Sequence, residues 1–276
     1  DYPLRDVYKR QSLSLAENRL QAIDDARLFQ HLTNLQYLEM SNNNIKRIEP
    51  ASFQHMHNLK ELNLDQNNLS FIENRLFQNL TKLHFLGLYD NKIDRIEFLA
   101  FQHLSNLKGL YLGMNNLNLI DAGLFQNSTS LKYLELQNNK IIRIDPAAFQ
   151  QLHNLQSLNL EQNELTFIDA RLFQNMKNLQ FLELTNNKID RIEQAAFKHL
   201  HNLEKLELEF NQLTSISDAR LLQNLTNLGY LKLSNNRIGR IETDAFQHLH
   251  NLKGLILQNN NLTFIDYKIF NNMTLI

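Results

Sequence analysis

The sequence contains no cysteine, which excludes disulfides, thiolate metal sites and cysteine nucleophiles. Seven glycines in 276 residues leave little material for loops that cradle phosphates. Neither G-x-x-x-x-G-K-[ST] nor G-x-G-x-x-G occurs, and H-E-x-x-H and G-x-S-x-G are missing too. Net charge is close to nil: 28 Lys and Arg against 29 Asp and Glu leave −1. That argues against a nucleic-acid binder held by bulk electrostatics. No apolar run reaches the roughly 18 residues needed to cross a bilayer, so no membrane insertion by this segment is expected. No secretory leader is visible. What is present is 43% hydrophobic and 21% charged residues, a balance that fits a folded chain rather than a disordered or membrane-embedded one.

One phrase organises the chain. A clean copy runs from Leu179 to Asn202, LQFLELTNNKIDRIEQAAFKHLHN, with apolar residues at positions 1, 4, 6, 11, 14, 19 and 22 and Asn187 at position 9. The frame recurs at Leu35, Leu59, Leu83, Leu107, Leu131, Leu155, Leu203, Leu228 and Leu252, and in part before Leu35. A fixed period in the twenties marks a repeat architecture. The copy from Leu203 has one extra residue within Ser217–Arg220, and Leu222 stands there in place of a phenylalanine. Residues 1–11 fit no phrase and are set apart as a segment of doubtful native origin; the array occupies 12–276. Neither end offers the polar cap that a solenoid core needs, so the chain is read as a fragment. A second period overlies the first. Position 13 alternates Arg47, Phe71, Arg95, Leu119, Arg143, Phe167, Arg191, Ser215, Arg240 and Phe264, which points to duplication of a two-phrase unit and by itself to no mechanism.

Positions 3 to 7 alternate, as in Phe181–Leu182–Glu183–Leu184–Thr185, with positions 4 and 6 facing one way and positions 3, 5 and 7 the other. This is the period-2 pattern of a strand buried on one face. One short strand is unstable alone, so the phrases are expected to stack, pair strand to strand and share one core. Position 9 is asparagine throughout: Asn18, Asn43, Asn67, Asn91, Asn115, Asn139, Asn163, Asn187, Asn211, Asn236 and Asn260. An inward asparagine where the strand turns away can satisfy main-chain groups that the turn would strand. Position 15 is acidic in most copies and suits the start of a short helix or 3-10 turn, with Asp the better cap and Glu the weaker.

LxxLxLxxNxL followed by xxIxxxxFxxL resembles the leucine-rich repeat family. The 24-residue length and the late phenylalanines (Phe53, Phe77, Phe101, Phe125, Phe149, Phe173, Phe197, Phe246, Phe270) resemble its typical subclass. The resemblance implies an α/β solenoid of horseshoe form. A parallel sheet would line its concave side, with an asparagine ladder inside and loops and short helical or 3-10 turns on the convex side. It also implies extracellular or cell-surface proteins of receptor, adhesion and innate-immune type, which bind protein ligands. Those usually carry cysteine-rich caps, and this chain has no cysteine.

The concave face should show positions 2, 3, 5, 7 and 8. Phe85, Tyr89, Tyr111, Met114 and Tyr133 could form one docking patch there, with Gly87, Gly109 and Gly113 leaving room for a partner. The alternative is that these side chains stack on one another across strands. Glu135, Glu161, Glu183, Glu207 and Glu209 form an acidic strip near Lys205 and Lys232 that could attract a basic partner, or be a solvated charged face. Asn68, Asn79, Asn127, Asn224, Asn261 and Asn272 begin N-x-[ST] motifs, acceptors for glycans if the chain is secreted. The histidine pairs on the back of the solenoid, such as His199 and His201, lack a third metal ligand, and no cofactor is expected. Repeating carboxylates give no pair with opposed environments, so no enzyme is expected. The sequence reads as a protein-recognition module, with a structural or self-associating scaffold as the other reading.

Overall fold

The computed structural model describes residues 11–216, 219–271 and 273. The segment expected to be non-repeat, apart from Gln11, lies outside the described residues, as do Ser217 and Asp218. Contacts divide the chain into two compact units, Asp1–Leu117 with Gly123–Leu131, and Asn118–Ala122 with Lys132–Ile276. Each is a stretch of solenoid built the same way.

In the first unit, strands Ser12–Ser14, Tyr37–Glu39, Glu61–Asn63, Phe85–Gly87 and Gly109–Tyr111 pair in parallel and in chain order. In the second, Tyr133–Glu135, Ser157–Asn159, Phe181–Glu183, Lys205–Glu207, Tyr230–Lys232 and Gly254–Ile256 do the same. Equivalent positions face each other, as Leu38 with Leu62 and Leu206 with Leu231. The longer phrase from Leu203 therefore keeps its strand register; its extra residue is taken up beyond the strand. Positions 1, 4 and 6 are buried throughout the interior copies, and position 3 stays partly open in all of them except at Gly109. This is the alternation that sheet geometry imposes on a half-buried strand.

Two side-chain systems fill the space behind the sheet. Phenylalanines stack between successive coils, with ring centroids 6.1 Å apart for Phe29 and Phe53 and for Phe173 and Phe197, and 6.4 Å for Phe101 and Phe125. The position-9 asparagines hold the turn after each strand. Their Oδ1 atoms accept main-chain N–H groups of the preceding phrase, from Leu20, Ile45, Leu69 and Ile93 in the first unit. In the second the donors are Ile141, Leu165, Ile189, Leu213 and Ile238. Their Nδ2 atoms donate to carbonyls of their own and the preceding phrase, as Asn163 does to Leu136, Leu160 and Glu161.

A further asparagine column lies on the outer loops. Asn58, Asn106, Asn178, Asn202, Asn227 and Asn251 each donate Nδ2 to a carbonyl 25 or 26 residues earlier. The chain's many asparagines are thus used twice per coil, inside and outside.

The acidic residues at position 15 divide by length. Asp145, Asp169 and Asp266 accept the N–H two residues on and cap their own turns. Glu97 and Glu193, one methylene longer, reach back to the N–H groups of Asn74 and Ala170 in the preceding coil. Most of these turns stay single; 3-10 helices form at Pro50–Phe53, Ala219–Leu221 and Tyr267–Phe270.

The two-phrase period has a structural counterpart. Two-residue ladders on the outer side pair within doublets: Ala22–Ile23 with Arg47–Ile48, Phe71–Ile72 with Arg95–Ile96, Phe167–Ile168 with Arg191–Ile192. Arg95 lies 5.1 Å from the Phe71 ring centroid and Arg191 4.4 Å from that of Phe167. In these two doublets the alternation of phenylalanine and arginine at position 13 makes a cation–π pair.

Candidate functional site

On the sheet face of the first unit, Phe85 and Tyr89 are half-buried and Met114 is exposed. The Tyr89 hydroxyl donates to the Met114 sulfur. Tyr111, expected to protrude, is only 7% exposed. The reason is Gly109. A Cβ there would stand 2.8 Å from Phe85 Cδ1 and 2.9 Å from the Tyr111 hydroxyl. The room that Gly109 leaves is filled by the protein's own rings and not held open for a partner. Gly87 is likewise occupied, since a Cβ would meet Asp65 Oδ1 at 2.6 Å and Asn63 Oδ1 at 2.9 Å.

Asp65 is a group that sequence reasoning missed. Its carboxylate is buried on this face and accepts the Tyr89 N–H at 2.8 Å. Burial, with Glu39 and Asp90 nearby, pushes its pKa up to about 7. Lys60, His84 and Lys108 form a short basic row at position 2 of successive coils. Burial and the two lysines lower the His84 pKa.

Tyr133 belongs to the second unit, where it is 39% exposed. The glutamates expected as an acidic strip share that face but not one state. Glu207 is buried and takes both lysines, Lys205 at 2.7 Å and Lys232 at 2.5 Å. Burial opposes its charge, but hydrogen bonds from Lys205 and Lys232 outweigh this and hold its pKa below the usual carboxylate range. Glu209 accepts the Ser234 hydroxyl and lies 3.8 Å from Lys232. That half of the strip is neutralised internally. Glu135 and Glu183 have no lysine as close as those on Glu207: burial is the main cause that raises both pKa values, against a hydrogen bond from Asn159 at Glu135 and the charge of Lys205, 4.0 Å away, at Glu183. Glu161 stands two residues beyond the intervening strand, Ser157–Asn159.

Beside this strip lies a groove of about 620 Å³, lined by Phe181, Glu204, Lys205, Gly229, Tyr230 and Lys253 among others. Phe181 is 39% and Tyr230 48% exposed. Neither was singled out from the sequence, nor was Phe210, exposed at φ 53°. The left-handed turn residue is asparagine in several copies (Asn42, Asn138, Asn186, Asn235, Asn259), so phenylalanine there carries local strain. Tallying position 3 by column would have found the exposed rings, since Tyr37, Phe85, Tyr133, Phe181 and Tyr230 occupy every second phrase.

Of the glycan-acceptor candidates, Asn127 and Asn224 donate Nδ2 to the carbonyls of Gln102 and Lys198. Asn68 and Asn79 are half-buried, Asn261 is exposed, and Asn272 lies outside the described residues. Among the described residues, no group of three or more His, Asp or Glu side chains could hold a metal ion, and no helix is long and apolar enough to cross a membrane.

No curated protein matches the chain. Solved structures do. A leucine-rich repeat protein of Leptospira interrogans is 28% identical, with 95% of this chain and 64% of that one covered and a TM-score of 0.83. TLR13, solved with a single-stranded RNA, is 26% identical over 92% of this chain and 44% of that one, at 0.75. Toll of Drosophila, solved with Spatzle, is 26% identical over 93% and 32%, at 0.74. The chain thus spans less than two thirds of the length of each. A leucine rich repeat model matches residues 11–69, 48–93, 81–141, 129–189, 182–238 and 226–276. With phrase, strand register and family model in agreement over the whole array, the chain belongs to the leucine-rich repeat family.

Proposed function

We propose that this chain is a protein-recognition module, with no catalytic role, whose partner docks on the exposed face of the parallel sheet. The observation that carries this reading is the row of open aromatic rings on a rigid, otherwise polar sheet: Tyr133, Phe181 and Tyr230 in the second unit. Exposed rings on a preorganised surface supply contact area at little entropic cost and are the usual anchors of protein interfaces. The charged glutamates Glu135 and Glu183 beside them disfavour a polyanion such as RNA. In the first unit, Phe85, Tyr89 and Met114 contribute to the docking face, and Tyr111 supports them from beneath. The position-9 asparagines serve the scaffold. The extracellular setting that the family resemblance implies is part of this proposal.

Crosslinking capture with the full chain tests it. The comparison is with Phe181→Ala/Tyr230→Ala on the sheet face and His199→Ala/His201→Ala on the outer side. Loss of a captured protein with the first pair alone supports the reading. A captured protein retained by both variants moves the docking surface elsewhere.

A further inference from the structure

The open rings of the second unit have a fixed interval. Strand pairing sets Tyr133 beside Ser157, Ser157 beside Phe181, Phe181 beside Lys205, and Lys205 beside Tyr230. Rings therefore recur every second strand. At about 4.7–4.9 Å per strand, the interval is about 9.4–9.8 Å. A peptide crossing the strands meets them in phase only if its own side chains repeat at that distance. One α-helical turn advances about 5.4 Å and two about 10.8 Å, and an extended strand repeats on one face at about 6.6–6.8 Å, so neither matches the interval. A polyproline II helix has three residues per turn at about 3.1 Å each, a repeat of about 9.3 Å.

The space between the rings suits such a ligand. Ser157 is short, and the Lys205 ammonium is drawn to Glu207 at 2.7 Å. The groove between Phe181 and Tyr230 is the result. Gly229 adds no side chain to its lining, and the space at its Cβ position is open apart from the Glu204 carbonyl at 3.5 Å. Charge recurs at the same interval. Glu135 is two residues from Tyr133 on one strand face, and Glu183 two residues from Phe181. At the third ring Lys232 takes that place and is committed to Glu207.

We propose that the Tyr133–Phe181–Tyr230 row binds a proline-rich segment in the polyproline II conformation, lying across the strands. The segment carries lysine or arginine once per turn, facing Glu135 and Glu183. This rests on the docking-face reading above and names its partner class. From Tyr133 to Tyr230 is four strand steps, about 19–20 Å, or about six residues of the ligand.

Fluorescence anisotropy with the full chain and labelled peptides tests the proposal. The probes are repeated Lys-Pro-Pro triplets, Glu-Pro-Pro triplets of equal length, and Lys-Gly-Gly triplets, which keep the charge and lose the helix. Lys-Pro-Pro is expected to bind about tenfold or more tightly than either control. Affinity should rise with length to about three triplets and then level off. Phe181→Ala/Tyr230→Ala should weaken binding about tenfold or more, with an unchanged circular dichroism spectrum, and His201→Ala should not. Glu135→Gln/Glu183→Gln should weaken it and flatten its salt dependence.

Equal binding of Lys-Gly-Gly and Lys-Pro-Pro would overturn the proposal by reducing it to charge attraction. Absence of binding by any peptide would overturn it too. So would a linear β-linked sugar oligomer that binds while the peptides do not, with the ring variants abolishing that binding. If a crosslinked protein is lost with the ring variants while the triplets fail to bind, the polyproline assignment falls and the docking face stands.

Discussion

Asn163→Ala should destabilise the second unit by about 1–3 kcal/mol, and the hydrogen bonds show where the cost arises. The Asn163 side chain accepts the Ile141 N–H at 3.0 Å and donates to the carbonyls of Leu136, Leu160 and Glu161 at 3.0, 3.1 and 3.2 Å. The three carbonyls each keep another donor, from Asn139, Asn187 and the Asn138 N–H respectively. Among the described residues the buried Ile141 N–H has Asn163 Oδ1 as its acceptor and no second one, so alanine leaves one orphan donor and three half-satisfied acceptors. An unpaired buried N–H accounts for most of the effect. Asn163→Asp separates the two contributions. Its carboxylate still accepts from Ile141 but faces three carbonyl oxygens, which favour its neutral form and raise its folded-state pKa. The aspartate variant should therefore be less stable than wild type near neutral pH and recover as pH falls through that raised pKa. The alanine deficit should not change with pH. Urea unfolding followed by circular dichroism measures both, through the midpoint at constant slope. Hydrogen exchange at Ile141 reports the local opening. An alanine variant as stable as wild type, with Ile141 equally protected, would refute the assignment of the turn's integrity to this side chain.

Gly109→Ala should lower the thermal midpoint by an amount equivalent to about 1–3 kcal/mol, because its Cβ collides with Phe85 and Tyr111; an unchanged midpoint would mean that those rings have other room. Asp65 has a folded pKa near 7, above its unfolded value, so the folded state binds the extra proton. Stability should rise as pH falls from about 7 towards about 4, and Asp65→Asn, which keeps the acceptor for Tyr89, should remove that slope in pH-dependent urea titrations. A double-mutant cycle on Phe167 and Arg191 should give a coupling of up to about 1 kcal/mol, and no coupling would reduce the position-13 alternation to ancestry alone.

Much of the fold was legible because its rules are local and repeated. Leu at positions 4 and 6, Asn at 9 and Phe at 19 face equivalent neighbours in nearly every coil, so one phrase states the environment of almost all. The difference between Asp145 and Glu97 as caps was half legible. The sequence gives the chain length of the acid, but only the neighbouring coil shows what the longer arm reaches.

The candidate site was less legible, since a column position does not say whether a ring stands up or lies down. Tyr111 and Tyr230 are both tyrosines on the sheet face. Tyr111 folds over Gly109 of its own strand, and Tyr230 lies near Gly254 of the next, where a Cβ would stand 2.9 Å from its ring. One ends buried and the other about half open. The glutamates show the same limit. Glu183 and Glu207 occupy equivalent positions on adjacent strands, yet Glu207 holds two lysines and Glu183 lies 4.0 Å from one. The sequence by itself determined the repeat, the strand register and the residues that face inward, because burial follows the period of the backbone. Only the tertiary structure decided which outward side chains stay free, because lateral contacts between neighbouring strands depend on rotamers and reach, which no period encodes.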